Sequence, residues 1–350
     1  MFPSSESPYY GTFVASAYRA WLLLFHDGDS RKCVIDKQEK TTLKKIVSYF
    51  CLYCSCIKDV LLRKPDLIEI HYPFFFIPLF FLVKRKNLVL RFHGSDLEKL
   101  LGSRLMQRLF FINEKKIVCL VAPSGYYKKR LVSELGYRGK VVVVNPDSVD
   151  SVFYPSDAAN SKPAGFLKIG IVGRLDKDKN IQEVIRALPL LNGFDYSLTI
   201  AGGGSYEAQL KALAKELKVD SAVEFTGPVA REELVKVIQE FSIFVFSSTR
   251  TAESFGLVGL EALACGIPVV YRDTLQGPLE YLNERNSLSY ASSENDLASV
   301  ISLYQSFSVA QKSQMRQAAL DTAENFTFES TVFAGVERIF AVVKEEQLKI

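Results

Sequence analysis

No stretch of this 350-residue sequence is long and apolar enough to cross a bilayer. The longest apolar run, Tyr72 to Val83, is interrupted by Pro73 and Pro78 and falls well short of the ~20 residues a membrane helix needs. The start, MFPSSESPYY, has no basic stretch, apolar core or cleavage site, so no secretory signal peptide is expected. Histidine is scarce: His26, His71 and His93 are the three present, and none adjoins the six cysteines. The C-x2-C-x-C cluster of Cys51, Cys54 and Cys56 therefore lacks a nearby fourth zinc ligand. The surrounding IVSYFCLYCSCIKDVLL reads as a buried apolar helix whose thiols pack. Nothing argues for disulfides, which makes a reducing cytoplasm the expected compartment. No strand is followed by G-x-G-x-x-G, and Gly170 and Gly173 do not supply it, so a dinucleotide-dependent oxidoreductase is disfavoured. Internal repeats and low-complexity tracts are absent.

What is present is the composition of a folded chain, 48% hydrophobic and 23% charged, long enough for two cores. The net charge of +4 divides unevenly. Residues 1–160 carry 24 Lys+Arg against 15 Asp+Glu, and the remainder 19 against 24. In the second half, strand-like runs (166–173, 196–202, 222–227, 242–248, 268–273) alternate with helix-length amphipathic runs. That is the pattern of a doubly wound parallel sheet. The first half repeats it less regularly at 66–72, 87–94, 117–125 and 140–145. A Ser/Ala/Asn-rich stretch from Pro155 to Pro163 reads as a linker. Two Rossmann-like domains are expected, 1–160 and 161–330, with a C-terminal helix over 331–350 returning to the first. Ligands of such sheets bind beyond the carboxyl ends of the strands, so a cleft between the two domains is the expected site.

The residues that carry chemistry fall in those loops. Between Ser247-Ser248 and the strand at 268–273 lies Glu253-Ser254-Phe255-Gly256-Leu257, followed by Glu261. A helix starting near Phe255 would present free N–H groups and a favourable dipole to a diphosphate. Gly256 lets the backbone approach a ligand. Glu253 and Glu261 are carboxylates that accept hydrogen bonds from paired hydroxyls, which suits a ligand with a sugar on one side and a ribose on the other. The neighbours of Glu261 are apolar, and a buried carboxylate without a partner is costly. A second loop, Gly173-Arg174-Leu175-Asp176-Lys177-Asp178-Lys179-Asn180, offers Arg174 and Lys179 to a leaving diphosphate.

Together these segments resemble glycosyltransferase family 4, whose members are retaining enzymes of the GT-B fold. Glu253-Ser-Phe-Gly…Glu261 is similar to the family's E-x7-E signature, and Gly173-Arg174…Lys179 to its donor-diphosphate loop. The resemblance implies that Glu261 holds ribose hydroxyls and Glu253 those of the transferred sugar. Ser254 lies in the same donor-binding stretch, and Phe255, Gly256 and Leu257 offer backbone N–H groups. Arg174 and Lys179 neutralise the departing diphosphate beside Gly173. In the first domain, His93 of Arg91-Phe92-His93-Gly94 matches a histidine that reaches the sugar, and Gly11 of Tyr10-Gly11-Thr12-Phe13 a glycine loop near the phosphates and acceptor. No paired-aspartate metal motif is present, and neither metal nor cofactor is implied.

The implied partners are a UDP- or GDP-sugar donor and a glycan or lipid-linked acceptor in cell-envelope polysaccharide synthesis; no nucleic acid is implied. A non-catalytic sugar-nucleotide-binding subunit of the same fold is the alternative. The apolar-basic stretches FFFIPLFFLVKRK and RLMQRLFFINEKK raise peripheral contact with the anionic inner face of a membrane. Three departures from the family pattern stand out. The pattern's opening strand is not found ahead of Met1-Phe2-Pro3, Asp147-Ser148 replaces Asn-Gly, and Asn180 replaces a glycine.

Overall fold

The computed structural model describes residues 11–25, 31–35, 41–156, 165–250 and 252–348. Two compact units emerge: residues 1–148 with 328–350, and residues 149–327. The stretch 149–156, placed before the linker by sequence, belongs to the second unit. There Val149 N–H donates to Phe326 O at 3.0 Å, and Phe153 is buried in that unit's core. Tyr10, and any strand before Gly11, lie outside the described residues.

The first unit runs α1 (Thr12–Phe25), α2 (Thr42–Arg63), β1 (Ile68–His71), β2 (Leu88–Arg91), α3 (Ser95–Leu101), α4 (Arg104–Ile112), β3 (Ile117–Ala122), α5 (Gly125–Ser133) and β4 (Val141–Val143). Its four strands are parallel in the order β1-β2-β3-β4. Strand periodicity sorts the core into two layers. Leu88, Leu90 and Leu120 face Leu97, Phe110, Tyr127 and Leu131, whereas Val89 and Val121 face Trp21. The helix Ala334–Gln347 packs on the Val89–Val121 side through Val336, Ile339 and Val343.

Two expectations for this unit fail. The 42–63 helix forms, capped by Thr41, but none of its residues is buried, and Cys51 and Cys54 are exposed. Its apolar side chains occupy both faces, so apolarity along the sequence did not translate into burial. Residues 73–82, expected to hold a helix between the strands at 66–72 and 87–94, form two short 3-10 turns, Pro73–Phe75 and Ile77–Leu82. Pro73 and Pro78 sit at the first turn of each, where a missing N–H costs nothing.

The second unit comprises β5 (Phe166–Val172), α6 (Ile181–Ala187), β6 (Asp195–Ala201), α7 (Glu207–Glu216), β7 (Val223–Gly227), α8 (Arg231–Gln239), β8 (Ile243–Phe246), α9 (Leu257–Ala264), β9 (Val269–Arg272), β10 (Ser287–Tyr290), α10 (Glu294–Ser306) and α11 (Val309–Ala323). The chain ends on α12 (Ala334–Gln347). Six parallel strands run β10-β9-β8-β5-β6-β7. The order reverses between β5 and β8, the switch point at which open α/β sheets bind ligands. Fully buried Leu260 and Leu263 fix α9 against the sheet, each contributing about 1.5–3 kcal/mol.

Candidate active site

Two loops leave the carboxyl ends of the adjacent strands β5 and β8. After β5, Leu175 is fully buried and its N–H donates to Gly203 O at 3.0 Å, which pins the loop. Arg174, beside it, is largely exposed and ion-paired with Asp176. A 3-10 turn over Lys177–Lys179 ends at Asn180, which takes the left-handed conformation at φ 54°. Asparagine tolerates that region almost as glycine does, so the replacement of a glycine at this position keeps the turn. The β8 loop is bound to the same turn: Ser247 Oγ donates to Lys179 O at 2.9 Å and Thr249 N–H to Asp178 O at 3.0 Å. The two loops thereby bring Lys179 Nζ to 2.5 Å from Glu253 Oε2.

The helix after Glu253 begins at Leu257, two residues later than the sequence suggested. Gly256 delays it. Its φ is 75°, and a Cβ there would lie 2.5 Å from the Phe246 ring. Phe255 is 1% exposed and meets Tyr281 edge-on, so its side chain anchors the loop. Ser254, Gly256 and Leu257 are half-buried. The first N–H groups of any α-helix lack intrahelical partners, and those of α9 begin at this loop. The Tyr281 hydroxyl donates to Gly256 O. Burial first, and then the charges of Glu253 and Glu261, push that hydroxyl well above its ordinary range.

Glu261 is 4% exposed. Its Oε1 sits 3.0 Å from Arg231 Nη1 in an ion pair without hydrogen-bond alignment. Arg231 Nε also approaches Asp150 Oδ2 at 3.3 Å, and the guanidinium lies over the Phe153 ring. The buried carboxylate thus has a cationic partner, which sequence reasoning missed. Arg231 opens an amphipathic helix whose basic residues look solvated in the sequence.

In the first unit, His93 follows β2, and its N–H donates to the buried Asp96 Oδ1 at 2.9 Å. His93 Nε2 lies 3.0 Å from His71 Nδ1. The ring also contacts Tyr72 and Phe13, each with centroids 4.5 Å away. Phe13 is two residues from Gly11, whose carbonyl accepts the Val14 and Ala15 N–H groups at the start of α1. The structure therefore brings the Gly11 loop and His93 together. Behind them Glu69 pairs with Arg91 Nε at 2.6 Å and accepts from Trp21, while His71 Nε2 is 3.8 Å away. Burial is the main cause that holds both histidines well below their ordinary value, with Arg91 adding to it. Among the described residues no cluster of His, Cys, Asp and Glu has the makings of a metal site.

Residues 155–317 match the model of the family described as Glycosyl transferases group 1. That stretch is similar to group 1 glycosyl transferases. Similar curated proteins include the D-inositol 3-phosphate glycosyltransferase of Mycolicibacterium gilvum, 34% identical over 216 residues. That match covers 56% of this chain and 45% of the relative. The namesake from Mycobacterium marinum is 31% identical, over 56% of this chain and 44% of its own length. The chain thus spans less than half the length of these relatives. Among solved structures, sucrose-phosphate synthase from Thermosynechococcus elongatus superposes with a TM-score of 0.73 at 16% identity, covering 96% of this chain and 93% of that one. Anabaena HepE, solved with UDP and glucose, gives 0.73 at 17%, covering 97% and 98%. These likenesses show the fold: two Rossmann-like parallel-sheet domains of the GT-B type.

Within the matched residues 155–317 lie Gly173, Arg174, Lys179, Glu253, Ser254, Phe255, Gly256, Leu257 and Glu261. Tyr281 and Arg231 join them by geometry. His93 and Gly11 lie in the other unit. No described helix is long and apolar enough to cross a membrane.

Proposed function

We propose that the chain is a retaining glycosyltransferase that moves a sugar from a nucleoside-diphosphate sugar to a glycan or lipid-linked acceptor on the cytoplasmic side of the cell envelope. One observation carries the reading: Lys179 and Glu253 meet at 2.5 Å between the β5 and β8 loops, just ahead of the α9 N-terminus. A cation, a hydroxyl-accepting carboxylate and backbone N–H groups are the parts that a sugar diphosphate requires. In this proposal Glu261, held by Arg231, takes the ribose hydroxyls and Glu253 those of the sugar. Arg174 and Lys179 receive the diphosphate. The bond from the anomeric carbon to the diphosphate oxygen breaks as the acceptor oxygen bonds on the same face. The acceptor proton passes to the departing phosphate oxygen. Charge stabilisation and orientation supply the rate, and the reading assigns no metal. His93 and Gly11 enter as the sugar and acceptor contacts that the first unit would supply.

UDP and glucose in HepE, and the inositol phosphate in the name of the mycobacterial relatives, make UDP-sugars and phosphorylated polyols the first substrates to assay. Purified protein is incubated with UDP- or GDP-sugars and acceptors in chelator, and the product anomer is read by NMR. Transfer with the donor's own anomeric configuration is expected. Inverted product sinks the retaining mechanism, and a strict metal requirement sinks the assignment of charge to Arg174 and Lys179. Saturable nucleotide-sugar binding with no turnover on any acceptor replaces the enzyme with a binding subunit.

A further inference from the structure

The exposed apolar face of α2 is a feature that the reading above does not use. None of its 22 residues is buried. Leu43 is 72% exposed, Val47 53%, Phe50 67% and Leu61 49%. Their spacing returns them to one side of the helix. The opposite side, with half-buried Leu52, Cys56 and Val60, faces the domain, and Tyr53 Oη donates to Phe75 O at 2.7 Å. The outward face is therefore a second apolar stripe on a helix that is already docked. Monomeric proteins seldom leave such a patch uncovered.

The charge around this stripe is predominantly positive among the described residues. The helix carries Lys44, Lys45, Lys58 and Arg63 against the single carboxylate of Asp59, which is bridged to Arg63 at 2.9 Å. The pattern continues on its neighbours. Both α2 and α4 pack on the turn Ile77–Leu82, where Phe81 is exposed. Helix α4 exposes Leu105 and Ile112 beside exposed Arg104 and Arg108, and it has no acidic residue. A second copy of the chain would set lysine against lysine along this stripe, with no carboxylate row on the described faces of α2 and α4 to answer them. A surface of anionic headgroups over acyl chains answers both the charge and the apolar stripe.

We propose that α2, extended by Phe81 and α4, lies flat on an anionic lipid surface. Leu43, Val47, Phe50 and Leu61 enter the acyl boundary while Lys44 and Lys58 meet headgroup phosphates. This docking is independent of the transfer reaction and needs no donor, so it stands or falls separately from the proposed function.

The test is co-sedimentation of the full chain with vesicles of phosphatidylglycerol and phosphatidylcholine, or of phosphatidylcholine alone, at low and high salt. Binding to the anionic vesicles only, weakened by salt, is expected. The Lys44→Ala, Lys58→Ala double variant should bind about thirtyfold more weakly, from ~1 kcal/mol for each lysine near the surface. Phe50→Glu should lose at least about tenfold by removing a buried ring and adding a repelled charge. All three positions are exposed, so melting temperatures should stay at the wild-type value. Leu303→Glu, at an exposed site on α10, should bind as wild type does. Absence of binding at low salt, equal binding to neutral vesicles, or Phe50→Glu binding unchanged would overturn the proposal. So would light scattering that shows a wild-type dimer made monomeric by Phe50→Glu, which would assign the stripe to a second copy.

Discussion

Lys179 Nζ and Glu253 Oε2 lie 2.5 Å apart although 74 residues separate them. Their meeting is set by neighbours, because Ser247 and Thr249 bind the carbonyls of the very turn that ends on Lys179. The side chains themselves are only 20% and 16% exposed.

Removing the lysine should therefore harm turnover far more than folding. A partly exposed ion pair is worth about 1 kcal/mol of stability, whereas one charged contact to a developing oxyanion is worth ~10²–10³ in rate. Lys179→Ala is expected to melt close to wild type and to lose that factor in kcat. Urea unfolding and steady-state kinetics on the same preparations check it. A stability loss of several kcal/mol with proportionate inactivation would make the pair a structural clamp.

The Glu261–Arg231 pair should behave in the opposite way. Glu261 is almost wholly enclosed, and truncating its partner leaves a buried charge with less compensation. Breaking fully buried pairs costs about 3–5 kcal/mol; Arg231 is a quarter exposed, which lowers the expectation for Arg231→Ala to about 2–3 kcal/mol. Glu261→Gln together with Arg231→Ala should recover part of that loss, since no buried charge remains. A double-mutant cycle by urea denaturation gives the coupling. A double variant as unstable as the sum of the single ones would mean that the two side chains do not interact.

The parallel strands were legible because buried strands read as continuous Val/Ile/Leu runs, and β5, β6 and β8 appear within two residues of their expected ends. The last strand, β10, escaped notice because Ser287 and Ser289 break its apolar character. Glu253, Glu261, Lys179 and Arg174 could be named from their spacing, but not their pairing. Arg231 meets Glu261 only after α8 and α9 pack against the same sheet, and Tyr281 reaches Gly256 from a turn 25 residues on. The α2 segment failed for the converse reason. Apolar residues on both faces of a helix signal burial in the sequence, yet here one face has no protein against it.

Asp96 offers a pH-dependent test of the first unit. It is fully buried, with one oxygen accepting the His93 N–H and the other without a hydrogen-bond partner. Burial, opposed by backbone N–H groups around the start of α3, raises its carboxyl from 3.8 to about 6. Below its ordinary value both folded and unfolded chains hold the proton, and the stabilising contribution is complete. As pH rises toward 6 the unfolded chain releases that proton while the folded one keeps it, so stability falls; above 6 the cost is constant. His71 and His93, lowered by burial, act in the opposite direction, losing stability as pH drops below their ordinary 6.5. Their effect is common to wild type and an Asp96 variant and cancels in the difference. An asparagine side chain cannot titrate and keeps an acceptor for the His93 N–H. Asp96→Asn should therefore exceed wild type in stability by about 1–3 kcal/mol near pH 7.5. The advantage should shrink steadily as pH falls and vanish near about pH 4. Trp21, the one tryptophan in the sequence, lies in this unit, so its fluorescence follows the relevant unfolding step in urea at each pH. A gap between the two proteins that does not change with pH would show that the Asp96 carboxyl titrates normally in the folded chain.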